Sequence, residues 1–361
     1  MTKLRDLSLT VRGLCPQEVD EAAMLSHFDS PELRTLELRD FPWAAVRPAL
    51  RDGLEELTLA SDPWEVIHTE ELLAALAGMP HLRKLHIDGW YQTVVVKDVH
   101  PVILPRLESL TSSRALGMED LTSLTFISTP VLRHLHLEFA WLDASEMNAA
   151  LSKIEHLLRA AAMNCRPCTA RFCLCNAKEL HITFRNDPTR RRLSSEGIHV
   201  RLPLGEAYQS LSIIAEMMGA AFQSFKSLEV VDGADISFSG YWQKICTKFS
   251  HIRNLHLEGS TIKLLPYGLD SKKETYCPVF KNLEVLSLRN VLFGKTNFLH
   301  ELERSLERHR EANRTNNPTL ESGVQLHVII TKGQQLLLKD VQALRELGAK
   351  VMWDDEECGV E

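Results

Sequence analysis

The stretch Leu132-Arg133-His134-Leu135-His136-Leu137-Glu138 decides how this chain folds. Its leucines are spaced three and two residues apart, as L-x-x-L-x-L. Alternation with period two puts Leu135 and Leu137 on one face of a short strand and His134, His136 and Glu138 on the other. The pattern occurs upstream as Leu4-Leu7-Leu9, Leu33-Leu36-Leu38, Leu54-Leu57-Leu59 and Leu82-Leu85-Ile87, and downstream as Ile252-Leu255-Leu257 and Leu283-Leu286-Leu288. Weaker copies are Leu107-Leu110, Ala177-Leu180-Ile182, Leu228-Val231 and Leu326-Val328-Ile330. In all, 56 of the 361 residues are leucine. These segments make about eleven units, mostly ~21 to 31 residues apart, the self-similarity expected of a repeat architecture.

Between the strands the pattern changes to a helical one. Over Thr69 to Met79, Thr69 is the predicted N-cap, acids fill the first turn, Leu72, Leu73 and Leu76 are the apolar face, and Gly78 and Pro80 are the stop. From Ala144 to Asn164 the residues Met147, Leu151, Ile154 and Leu158 form an apolar stripe that predicts one long helix. Gly205 to Phe225, Thr296 to Asn313 and Gln334 to Leu347 read the same way. Strands alternating with helices at this period predict an α/β fold, an irregular leucine-rich-repeat solenoid or horseshoe. Parallel strands would line its concave face and helices its convex face. A single solenoid is expected over 1–361, with an insertion around 140–176 and loops at 185–197, 266–278 and 310–323. The asparagine or cysteine that usually follows such a core is replaced by Arg12, Phe41, Asp62, Trp90, Arg114, Ala140, Ser260 and Val291. Each turn is therefore expected to be satisfied in its own way.

Composition excludes several function classes. With 48 acidic residues against 41 lysines and arginines the net charge is -7, so the chain has no overall basic excess to release counterions from nucleic acid. No uncharged apolar run approaches the roughly 20 residues of a spanning helix, and Asp6 interrupts the position of a signal peptide's apolar stretch. Neither a nucleic-acid nor a membrane partner is expected, and the location is predicted to be cytoplasmic or nuclear. The eight cysteines do not form an extracellular disulfide framework.

In such a scaffold, function sits on the outward strand positions. The centre column reads Ser8, Glu37, Thr58, His86, Thr111, His136, His181, Asp232, His256, Ser287 and His327. With the flanking positions included, Asp6, Glu37, Glu56, Asp88, Glu138, Glu179, Asp232 and Glu258 face only Arg39, Lys84 and Arg289. This column implies a histidine-bearing acidic groove for a basic protein partner. The expected contact residues are Glu37, His86, Asp88, His136, Glu138, His181, His256 and Glu258. The plainer account is a solvated polar face. His134, His136 and His181 also have the composition of a three-nitrogen metal site with Glu138 and Glu179 behind it, although an open groove excludes little water. A second metal candidate is Cys165-x-x-Cys168-x4-Cys173-x-Cys175, which is tighter than ordinary zinc modules. The alternative there is reduced cysteines in a loop after a long helix.

The remaining motifs are weak. Arg191-Arg192-Leu193-Ser194 matches a basophilic-kinase site, and Asn313-Arg314-Thr315 a glycosylation sequon. Gly294-Lys295-Thr296 ends like a phosphate loop, but Arg289 occupies the leading glycine position. No dinucleotide turn, nucleophile elbow or zincin helix occurs, so no catalytic residue and no cofactor is expected.

The cores Leu33-Arg34-Thr35-Leu36-Glu37-Leu38, Leu82-Arg83-Lys84-Leu85-His86-Ile87 and Leu132-Arg133-His134-Leu135-His136-Leu137, the segment Pro278 to Leu288 and the Trp353-Asp354-Asp355 tail together resemble the repeat region of fungal F-box proteins with leucine-rich repeats. The resemblance implies that the repeats recognise a protein to be ubiquitinated, while a separate F-box docks on the adaptor of a cullin-RING ligase. The first repeat begins at Leu4 and only Leu14 to Val19 echoes an F-box opening. This chain is therefore not expected to bind the adaptor tightly by itself. The functional expectation is a non-enzymatic protein-binding scaffold, with metal binding through His134, His136 and His181, or scaffolding unrelated to ubiquitin, as the alternatives.

Overall fold

The computed structural model describes residues 4–10, 31–60, 68–88, 100–116, 121–139, 144–167, 169–176, 179–185, 197–203, 213–214, 216–217, 223–232, 248–259, 280, 282–291, 293, 299–300, 302–304, 306–308, 311, 326–333, 336, 338–347 and 349–354. The fold is mixed α/β, with mostly parallel strands and no closed barrel. The chain divides into two compact units, Met1–Arg166 with Leu193–Met218, and Pro167–Arg192 with Gly219–Glu361.

The first unit's strands are β1 (Asp6–Thr10), β2 (Thr35–Arg39), β3 (Glu56–Ala60), β4 (Lys84–Asp88), β5 (Val102–Ile103), β6 (Ser109–Leu116), β7 (Ile127–Ser128) and β8 (His134–Phe139). The chain then contributes β9 (Thr169–Asn176) and β10 (Glu179–Arg185) to the second unit before β11 (Gly197–Pro203) in the first. Strands β1, β2, β3, β4, β6, β8 and β11 pair in that order, all parallel, while β5 and β7 form a separate two-stranded ladder.

The register follows from the leucines. Leu7, Leu36, Leu57, Leu85, Leu110, Leu135 and Ile198 lie opposite one another in one row, and Leu9, Leu38, Leu59, Ile87, Ser112, Leu137 and Val200 in the next. From β2 onward both rows are buried. A slip of one residue would turn every one of these side chains to water. The first leucine of each core is also buried, as Leu54, Leu82, Leu107 and Leu132, and its amide bonds the carbonyl three residues back, of Arg51, Met79, Leu104 and Thr129 respectively. The same turn recurs at Ile252 and Leu283 in the second unit. Arg34 Nη1 donates to the Gly53 carbonyl at 2.7 Å, and a Cβ on Gly53 would sit 2.9 Å from that nitrogen. Glycine there admits the guanidinium.

The helices are α1 (Trp43–Val46), α2 (Thr69–Ala77), α3 (Leu121–Thr125), α4 (Ala144–Lys153), α5 (Glu155–Cys165) and, in the second unit, α6 (Leu338–Glu346). Thr69 is the first helical residue of α2 and not its cap; His68 holds the cap position, without a side-chain bond. Glu70 and Glu71 favour this end through the helix dipole, and Glu71 accepts a 2.6 Å bond from Trp43 Nε1. The long helix expected over Ala144 to Asn164 is two helices, broken at Ile154 with φ -103° and ψ 8°. Met147, Leu151, Ile154 and Leu158 are all buried, so the stripe survives the break. α5 packs on β8 and β11, with Leu157, Leu158, Ala161 and Ala162 against the leucine face. The polar face of this sheet is the opposite one. The 140–176 stretch thus contains α4, α5 and β9. The three expected loops fall almost wholly outside the described residues.

In the second unit the order is β10, β9, β12 (Ser227–Asp232), β13 (Asn254–Glu258), β14 (Val285–Arg289), β15 (His327–Thr331) and β16 (Lys350–Trp353). One pairing departs from the parallel expectation: β10 runs antiparallel to β9. Only residues 177 and 178 separate these two strands, and a link that short joins antiparallel neighbours, whereas parallel strands need a crossover. Leu228, Leu255, Leu286, Val328 and Val351 form one buried row, and Val230, Leu257, Leu288 and Ile330 another. Behind the strand starts, Phe225 stacks on Phe184 at 5.3 Å and meets Phe249 at 5.9 Å.

The turn after the strand has a recurring solution. Asp40, Asn290 and Lys332 follow β2, β14 and β15 and hold φ values of 61°, 55° and 53°. Phe41 and Val291, at the consensus asparagine position, are buried and apolar. A left-handed residue makes the exit there in place of a side-chain bond.

Leu135→Ala should therefore cost about 2 to 5 kcal/mol in urea unfolding, and His136→Ala, one residue on and on the polar face, less than about 1. Equal losses would refute the assignment of faces.

Candidate functional site

On the polar face of the first unit the register aligns Ser8, Glu37, Thr58, His86, Thr111, His136 and His199 in one row. At its start Ser8 Oγ donates to Glu37 at 3.0 Å, and Arg39 Nε binds the other oxygen of the same carboxylate at 2.7 Å. The Arg39 bond, with Ser8 second, holds the Glu37 carboxyl below its ordinary range. Lys84 Nζ lies 2.6 Å from Glu56 on the neighbouring strand. His86 Nε2 and Ser113 Oγ share a 2.8 Å hydrogen bond. Burial lowers the His86 pKa, and the Asp88 carboxylate opposes that shift.

The row ends in three imidazoles. His134 and His136 come from β8, as H-x-H requires, and His199 comes from β11. The His134 and His199 rings are 5.3 Å apart, and His136 stacks on His199 at 5.9 Å with 25° between the planes. His136 Nε2 lies 3.3 Å from Glu138 Oε1, and Arg201 Nη1 binds Glu138 Oε2 at 3.2 Å. Burial, aided by His136, draws the His134 pKa down to about 4, against a backbone hydrogen bond at Gly197 that favours protonation. His134 is therefore neutral at pH 7.

The second unit carries its own paired charges. Register places Thr183, Arg171, Glu229, His256 and Ser287 in one row. Arg185 Nη2 binds Glu229 Oε2 at 2.9 Å, and Arg171 Nε approaches Glu229 Oε1 at 3.6 Å. Burial lowers the His256 pKa, with Glu229 opposing. Glu258 accepts from Asn290 Nδ2 at 2.6 Å and lies 3.8 Å from Arg289.

Of the residues expected from sequence, Glu37, His86, Asp88, His136 and Glu138 share the polar face of the first unit, whereas His181, His256 and Glu258 belong to the second. Within the first unit β11 takes the place beside β8 and supplies His199. The centre column also shifts in the second unit, where Glu229 lies opposite His256 and Ile329 opposite Ser287. His199 and Arg201 are not evident from the sequence because their strand lacks the opening leucine and follows a polar stretch of sequence. Nor are Arg171, Arg185 and Glu229, because β9 and the true register of β12 are not legible in it. Their inclusion changes the electrostatics: Glu37, Glu56, Glu138, Glu229 and Glu258 each have a basic partner. In each unit these carboxylates are paired with basic side chains on the same polar face.

Cys165 is buried at the end of α5, Cys173 and Cys175 belong to β9, and Cys168 lies outside the described residues. Cys165 and Cys173 are in different units, and neither forms a disulfide. Among the described residues no three His, Cys, Asp or Glu side chains are arranged to hold a metal ion. Ser194, Asn313 and Lys295 with their motifs lie outside the described residues. No helix among the described residues is long and apolar enough to cross a membrane. Compared with known proteins, the chain matches no family model and no curated protein.

His134 gives a pH prediction. Its folded pKa of about 4 lies below the ordinary 6.5, so between those values the unfolded chain binds the extra proton. The associated stability is complete above pH 6.5 and is lost as the pH falls towards 4. His134→Gln should remove about 1 kcal/mol of the stability lost between pH 7.5 and 5.5, measured by urea unfolding. An imidazole signal of His134 titrating near its ordinary value would refute the buried, neutral assignment.

Proposed function

We propose that this chain is a non-enzymatic protein-binding scaffold, a leucine-rich-repeat solenoid whose polar strand face is the contact surface. The observation that carries the reading is the register-aligned row from Ser8 to His199, half-exposed from β2 onward and presented by a rigid leucine-backed sheet. Successive strands lie about 4.8 Å apart, so a partner crossing them meets one side chain per strand at even spacing. Such a surface is suited to reading a protein's contour. The chemistry of the row favours hydrogen bonding over bulk attraction, since its carboxylates already have arginine or lysine neighbours. A basic segment of a partner would have to compete with those neighbours. The resemblance of the cores to fungal F-box repeat proteins extends the proposal: the recognised protein is a client for ubiquitination, with the adaptor contact made elsewhere.

The test is affinity purification from the native cell with the wild-type chain and with Glu37→Lys/His86→Ala/His136→Ala, all three substitutions on the polar face. Proteins captured by the wild type and lost from a variant of unchanged circular dichroism support the proposal. An identical capture by both chains would exclude this face. Ligase subunits among the lost proteins would support the ubiquitin extension.

A further inference from the structure

A second surface lies at the start of the strands in the first unit. The residue after the first leucine of each core forms a rim row of Arg5, Arg34, Glu55, Arg83, Glu108 and Arg133. Its backbone is fixed, because each carbonyl from Arg5 to Glu108 accepts both the next rim amide and the one after it. From Arg34 onward the side chains alternate in sign and pair along the row: Arg34 with Glu55 at 3.7 Å, and Arg83 with Glu108 at 3.0 Å. Arg133 comes next, after Glu108 is taken, and has no ion-pair partner among the described residues. Arg106, in the turn between Leu104 and Leu107, has none either. Both guanidinium groups line one groove, together with His81, Pro105 and Val131.

Exposed apolar side chains lie in the groove and in the segments tied beside it. Val131 is 38% exposed, Ile103 66% and Met163 72%; these are three of the four large apolar side chains described as exposed in this unit. Asn164 Nδ2 donates to the Pro130 carbonyl at 2.9 Å and ties the end of α5 beside the Pro130–Val131 turn. Pairing of Ile103 with Ser128 brings β5 to the same neighbourhood. Two guanidinium groups with no ion-pair partner among the described residues thus lie in and beside segments that carry exposed apolar side chains, on a chain whose net charge is -7. Guanidinium groups take carboxylates in paired hydrogen bonds, and exposed apolar side chains gathered in one place mark contact sites.

We propose that this rim groove docks an acidic, amphipathic segment of a partner protein, its carboxylates bound by Arg106 and Arg133 and an apolar side chain seated on Val131. The carboxylates of Glu55 and Glu108 in the same groove disfavour a polyphosphate backbone, since they would face its charge along its length. This surface is distinct from the polar strand face, and its occupancy is independent of the function proposed there.

The experiment uses the full chain and a fluorescein-labelled peptide with paired glutamates on each side of a leucine, read by fluorescence anisotropy. A lysine-for-glutamate version and a labelled oligothymidylate serve as comparison probes. The acidic peptide is expected to bind in preference to both, more weakly as salt rises. Arg106→Ala/Arg133→Ala and Val131→Asp should each weaken it about tenfold or more. Glu37→Lys, on the polar face, should leave it unchanged. The side chains altered in the groove are exposed and Glu37 is half-exposed, so folding is checked by circular dichroism alone. No binding of the acidic peptide, equal binding of the lysine peptide, tighter binding of the oligonucleotide, or full affinity in the double variant would each overturn the proposal.

Discussion

Buried aliphatic side chains, two on most strands and in register across parallel neighbours, are the constraint on which the rest of the structure depends. Each fully buried leucine contributes roughly 1.5 to 3 kcal/mol, and the rows Leu36, Leu57, Leu85, Leu110, Leu135 and Leu38, Leu59, Ile87, Leu137 are closed to water. Since side chains alternate with period two, fixing the leucines also fixes every outward residue between them. Glu37, Thr58, His86, Thr111 and His136 are aligned for that reason, not through attraction to one another. The helices complete the burial: α5 covers β8 and β11 with its own leucines and alanines.

What the sheet then does with its polar residues is a matter of neighbours across strands. Along one strand the acids look isolated, because carboxylates two residues from a histidine are all that a single segment displays. Across strands they acquire partners, as Glu138 does from Arg201 and Glu56 from Lys84. These exposed pairs add little to stability, but they set the chemistry that a visitor meets. Compensated charge favours a partner that matches positions over one that merely carries opposite sign. The rim of the first unit differs, since among the described residues Arg133 at the end of its row and Arg106 beside it have no ion-pair partner.

Much of this is legible in the sequence. The strands at Thr35, Glu56, Lys84, His134, Asn254 and Val285 follow from leucine spacing alone, as does the inward or outward sense of their residues. The candidate site was legible only within those strands: Glu37, His86, Asp88, His136 and Glu138 share one face as the alternation requires. The third histidine was not. His181 stands in as good an L-H-I segment as His136 does, whereas His199 follows Gly197-Ile198 with no opening leucine to mark its strand.

In the strands that carry the full leucine spacing, the sequence by itself determined which residues are buried, because hydrophobic burial and the two-residue period are local properties of the chain. It also determined that the turns would lack the usual asparagine. Tertiary structure alone decided which strand lies beside which: that β11 follows β8, that β9 and β10 pair antiparallel, and that Glu229 faces His256. Strand order depends on how far each connection reaches and on which leucine row it can extend. Both depend on contacts between residues distant in the chain, which no local pattern records.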